Sequence, residues 1–140
     1  MTKIKKIVAS TIAAISVGAI GLTAFASISS TMTVNGVSVH CEHKVDDMWD
    51  YNPFAGDSVT ATATAAAALD KITTTATVRY AVGSETRSKT CPPVVKKVAT
   101  ECSAKVTADG LSSSYGAGGW YEGAHNGKSN STTTSTGGTN

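Results

Sequence analysis

Thr31-Met32-Thr33-Val34-Asn35-Gly36-Val37-Ser38-Val39-His40-Cys41 is the stretch on which the fold turns. Asn-Gly between two runs of alternating apolar and polar residues suits a two-residue type I′ turn, whose central positions both need φ > 0. In that register Val34 faces Val37 and Met32 faces Val39, and Cys41 extends the same apolar side. Thr31, Thr33, Ser38 and His40 point the other way. A slip of one residue would turn the whole apolar set outward, so agreement at every position argues for a hairpin. The competing reading is one longer strand with a bulge at Gly36.

Alternation continues downstream. From Ser58 to Ala67, Val59, Ala61, Ala63, Ala65 and Ala67 share one face and threonines the other. From Ile72 to Val82, Ile72, Ala76, Val78, Tyr80 and Val82 lie opposite Thr73, Thr75, Thr77 and Arg79. Thr-rich alternation suits half-buried strands and makes poor helix. With Leu69-Asp70-Lys71 as a turn, these two runs predict a second antiparallel hairpin. Gly83 to Thr90 reads as a polar loop closed by Cys91-Pro92-Pro93. The stretch Val94 to Ala108 fits two patterns. As a strand it places Val94, Val98, Cys102, Ala104 and Val106 on one face; as a helix it aligns Val95, Val98, Cys102 and Val106 behind two prolines. The strand is preferred, with a short helix over 94–106 as the alternative. The expected fold class is all-β, a small antiparallel β-sandwich or a single-domain sheet.

Three lysines, the apolar run Ile7 to Leu22 and Ala24-Phe25-Ala26 have the three-part form of a secretory signal peptide. The alternative, an uncleaved anchor, is disfavoured by the many small residues and by the lack of a basic cluster after the run. Residues 1–26 are thus read as a signal peptide, 27–125 as the β-rich domain, and 126–140 as a disordered tail of Ser, Thr, Gly and Asn. Cleavage near Ala26 predicts a secreted, extracellular product of about 114 residues with no remaining membrane span. The formal charge of +2 falls to −1 once Lys3, Lys5 and Lys6 leave, so no basic surface for nucleic acid is indicated. Leu, Ile, Val and Phe supply only 16 residues of that product. Such a thin core makes a covalent staple valuable, and export to an oxidising compartment makes Cys41, Cys91 and Cys102 disulfide candidates. A Cys41–Cys102 bridge would close the long loop and Cys91–Cys102 a short one.

Motifs for chemistry are sparse. In His40-Cys41-Glu42-His43, Cys41 and His43 share a face and could reach a metal with His125, but the spacing is neither His-Glu-x-x-His nor paired Cys-x-x-Cys. Asp46, Asp47, Asp50, Asn52 and Asp57 do not follow the twelve-residue calcium loop. No Gly-x-Ser-x-Gly elbow or phosphate loop occurs, so no catalytic residues, metal or cofactor are assigned. The aromatic residues carry more. Trp49, Tyr51 and Phe54 cluster in one predicted loop, and Trp120 and Tyr121 sit among glycines near the end. Rigid rings outside the core are what binding surfaces use, against the plainer reading that they fold inward to cover a thin core. Trp49, Tyr51, Trp120 and Tyr121 are therefore the candidate ligand-binding residues. The expected function is a secreted binding or surface-interaction module for a cell-envelope polymer, a glycan or another protein. The alternative is a bacteriocin-like antagonist of neighbouring cells, for which a charge of −1 is a poor match to anionic membranes.

Overall fold

The computed structural model describes residues 27–46 and 56–137. Over that range the chain is all-β, one antiparallel sheet nearly closed into a barrel. Its strands are β1 (Ser27–Val34), β2 (Val37–Asp46), β3 (Ser58–Val82), β4 (Glu85–Thr90), β5 (Val94–Thr107), β6 (Ser113–His125) and β7 (Lys128–Gly137). Among the described residues no helix is long and apolar enough to cross a membrane. The signal peptide, Trp49, Tyr51 and Phe54 lie outside the described residues.

β1 and β2 form the expected hairpin. Val34 pairs with Val37 and Met32 with Val39, and the turn holds Asn35 at φ 47° and Gly36 at φ 87°. Met32, Val34, Val39, Cys41 and Val45 are buried, as the alternation requires.

The second hairpin is not formed. Ser58 to Val82 is a single strand, and Leu69-Asp70-Lys71 stays within it: Leu69 pairs with Ala99 of β5, and Lys71 pairs with both Lys97 and Ala124. The buried set is odd-numbered through Val59, Ala61, Ala63 and Ala65 and even-numbered through Ile72, Thr74, Ala76, Val78 and Tyr80. That change of phase is the trace of a bulge. While β3 runs from Thr64 to Leu69, β5 runs only from Glu101 to Ala99. An extra stretch on one strand bends it and restarts the alternation, and the exposed Ala66, Ala67 and Ala68 occupy the bend. Ala67, expected on the inner face, is displaced outward by it. Straight, β3 would span ~80 Å, far beyond a domain of this size with a radius of gyration of about 13 Å. Bending brings the two halves of β3 into different pairings. Its first half lies between β2 and β5, and its second between β6 and, in succession, β5 and β4.

Val94 to Thr107 is strand, and the alternative helix over 94–106 does not occur. Cys102, Ala104 and Val106 face the core as expected, but Val98 is 78% exposed with φ 48°. It sits where β5 answers the β3 bulge, so its side chain leaves the series that Cys102 begins. The expected loop Gly83 to Thr90 is mostly β4, paired with Thr77–Val82.

The expected disordered tail is also corrected. Asn126 and Gly127, at φ 50° and 78°, turn the chain into β7, which pairs with β6 from Gly116↔Gly137 to His125↔Lys128. Low apolar content does not prevent this, because a β ladder is made by backbone groups and β-branched threonine suits it. Thr134 and Thr136 are buried. β7 also reaches β1, where Ser30 and Thr132 hydroxyls lie 3.3 Å apart and Asn130 Nδ2 donates to the Thr33 carbonyl at 3.0 Å. The domain therefore runs past residue 125, and its last strand is what brings the sheet close to closure.

None of the disulfide candidates is bridged: Cys41, Cys91 and Cys102 are free thiols. Cys41 and Cys102 both stand opposite Ala63, on either side of β3. Two strand spacings put their Cα atoms ~10 Å apart, beyond the ~7 Å that a disulfide tolerates. Cys91 lies at the β4–β5 corner, donating its N–H to the Ala76 carbonyl at 3.0 Å and accepting from Ala76 N at 3.3 Å.

Candidate binding face

Trp120 and Tyr121 are neighbours in sequence and therefore point to opposite sides of β6. Trp120 stands on the outer face and is 38% exposed, whereas Tyr121 is fully buried. Tyr121 is thereby removed from the candidate ligand-binding set. The two rings cannot meet one ligand, a consequence of strand geometry that their adjacency in a glycine-rich run conceals.

Tyr121 belongs to a polar network inside the sheet. Its hydroxyl lies 2.9 Å from Thr134 Oγ1, and the same oxygen lies 2.7 Å from His43 Nδ1. His43 Nε2 is buried and has no partner among the described residues. Burial away from water disfavours charge, so the His43 imidazole is pulled down to about 4 despite the opposing pull of Glu42. Burial likewise pushes the Cys41 thiol up to about 12 and the Tyr121 phenol upward. Thr134 was missed because it lies in the stretch read as a tail. The signal that could have found it is Asn126-Gly127, the same turn dipeptide that marks the first hairpin. Glycine makes room on the inner face: a Cβ on Gly119 would collide with the Tyr121 hydroxyl of this network and with Ala61, and one on Gly123 would come within 2.9 Å of the apolar side chains of Leu69 and Val34.

Around Trp120 the outer face is built of hydroxyl groups. Trp120 pairs with Thr75 of β3 and Thr133 of β7. One step along, Glu122 lies between Thr73 and Ser131; on the other side Gly118 lies between Thr77 and Ser135 and presents no side chain. The exposed Val95 of β5 pairs with Thr73 and extends the face by one strand. Among the described residues, the Thr75, Thr133 and Ser131 hydroxyls and the Glu122 carboxylate bond to no other side chain. An apolar ring is thus set among unengaged donors and acceptors on a rigid ladder. That combination can stack on one face of a flat ligand and hydrogen-bond its edge.

Other clusters offer less. A groove of about 620 Å³ opens beside β2 and the first half of β3, with Glu42, Lys44, Asp46, Thr60 and Thr62 along it. Glu42 is already engaged there by Lys44 and His40, each at 3.4 Å, and the groove has no aromatic platform. Beside β4, Asp109 accepts from Tyr80 at 3.1 Å, Lys89 at 3.2 Å and Arg87 at 3.3 Å. The bond from Lys89, then that from Tyr80, holds its carboxyl below the usual range. This cluster pins the β5–β6 connection to β4. Cys41 and His43 share the inner face of β2, while His125 lies 3.5 Å from Asp70, and no three His, Cys, Asp or Glu side chains gather among the described residues. Compared with known proteins, the chain matches no family model, no curated protein and no solved structure.

Proposed function

We propose that this protein is an exported binding module that docks a polysaccharide of the cell envelope against Trp120 and the hydroxyl groups around it. The observation that carries the reading is Trp120 itself, a large ring kept 38% exposed on a strand while its neighbour Tyr121 is buried. Export rests on the leader Met1 to Ala26. The chemistry of a pyranose matches the face: its C–H surface stacks on an indole, and its rim of hydroxyls meets Thr75, Thr133, Ser131 and Glu122. Because the face lies open on the outside of the sheet, several sugar contacts along a polymer suit it better than one small enclosed ligand.

The test is sedimentation of the purified protein with cell walls and insoluble glycans, with Trp120→Ala and Tyr121→Phe beside it. The wild type and Tyr121→Phe are expected in the pellet, with Trp120→Ala reduced at least tenfold in affinity. Failure of the wild type to sediment with any of these polymers, or equal sedimentation of Trp120→Ala, would remove the reading.

A further inference from the structure

β5 pairs with β3 along one edge, and no other described strand pairs with its opposite edge. A strand of 14 residues is long for an open edge, which is a ready template for another strand. Its two halves differ. The half from Val94 to Val98 carries Lys96 and Lys97 and ends in the positive-φ kink at Val98, devices that discourage pairing. In the half from Ala99 to Thr107 the register with β3 runs unbroken from Glu101 to Thr107, the shift at the bulge falling between Ala99 and Glu101.

Within this second half, Glu101 and Lys105 are both exposed, on the same outer face, and neither forms an ion pair among the described residues. They cannot reach each other within one strand, where four residues span ~13 Å. Placed antiparallel to a copy of itself about Ser103, however, this segment sets each Glu101 opposite a Lys105. The same register puts Cys102 opposite Ala104, both inner-facing, and one Ser103 opposite the other. The arrangement obeys a twofold axis normal to the sheet, so inner and outer faces stay in register across the junction. We infer that the Ala99–Thr107 edge of β5 pairs antiparallel with the same edge of a second copy, centred on Ser103, giving a homodimer with a continuous sheet. Charge complementarity specifies the occupant: a twofold copy supplies both pairs at once. The ladder supplies the attraction, and the exposed ion pairs set the register. Nine residues of one strand bury less than the 1,200–2,000 Å² typical of stable interfaces, so dimerisation depends on concentration. The inference is independent of the Trp120 reading.

The experiment is analytical ultracentrifugation of the purified protein under reducing conditions over a wide concentration range, with a charge-reversal cycle. Wild type is expected to shift from monomer to dimer with rising concentration. Glu101→Lys places Lys opposite Lys twice and should weaken the dimer about tenfold. Adding Lys105→Glu to that variant restores both pairs with exchanged signs and should recover the wild-type constant. Thermal melts of each variant confirm that the fold is kept. As a second readout, Ser103→Cys stands on the axis and should oxidise to a covalent dimer, whereas Thr62→Cys on β3 should not. A protein that stays monomeric at every concentration, with no Ser103→Cys cross-link, would overturn the inference. So would a dimer indifferent to Glu101→Lys.

Discussion

At the scale of the residue, the alternating pattern records facing, and facing was readable almost everywhere. Met32, Val34, Val39 and Cys41 lie inside where Thr33, Ser38 and His40 lie outside. What the pattern left open was the environment each inward residue meets. His43 follows Cys41 on the same face, and only the arrival of β7 encloses its imidazole beside Thr134. This enclosure makes stability depend on pH. The imidazole takes up a proton near pH 6.5 when unfolded and only near 4 when folded. Between those values the unfolded chain binds more protons, so stability rises with pH. The contribution of His43 is complete above pH 6.5 and is lost as pH falls towards 4, and it amounts to about 3 kcal/mol. Urea unfolding at pH 7 and pH 4.5 should show a larger loss for the wild type than for His43→Leu. Equal losses would mean that other groups carry the acid sensitivity.

Single elements were legible in type but not in extent. The odd-to-even change of phase between Ala65 and Ile72 is present in the sequence, and a turn and a bulge explain it equally well. β5 decides between them, because it runs alongside both halves of β3 and holds them as one strand. The cost appears at Val98, a β-branched residue at φ 48° with its side chain in solvent. A left-handed conformation disfavours such a residue by about 1–2 kcal/mol, and exposure means that little packing is lost on removing the side chain. Val98→Gly is therefore expected to stabilise the protein by about 1 kcal/mol after allowing for the freedom glycine gains when unfolded. Thermal or denaturant melts of the two proteins read this directly. A destabilised Val98→Gly would show that the valine packs usefully where it stands.

At the scale of the whole molecule, β7 decides most. It covers one edge of β6, brings Thr134 to His43 and Tyr121, and meets β1 through Asn130 and Thr132. A chain ending at Gly127 takes away the Thr134 partner of His43 and Tyr121, opens their enclosure to water and leaves the β6 edge unpaired. Such a chain is expected to lose its cooperative thermal transition by circular dichroism, whereas an unchanged melting temperature would mean that residues 128–140 contribute nothing to the fold. The amino-acid sequence by itself determined the all-β class, the hairpin at Asn35-Gly36 and the faces of most buried residues. Only the tertiary structure decided that β3 bends instead of turning, that Lys128–Gly137 forms a strand, that Tyr121 is core while Trp120 is exposed, and that Ala63 holds Cys41 and Cys102 apart. The physical reason is common to all four. Side-chain alternation reports which way a residue faces on its own strand, but strands choose partners through backbone N–H and C=O groups, which nearly every residue carries alike.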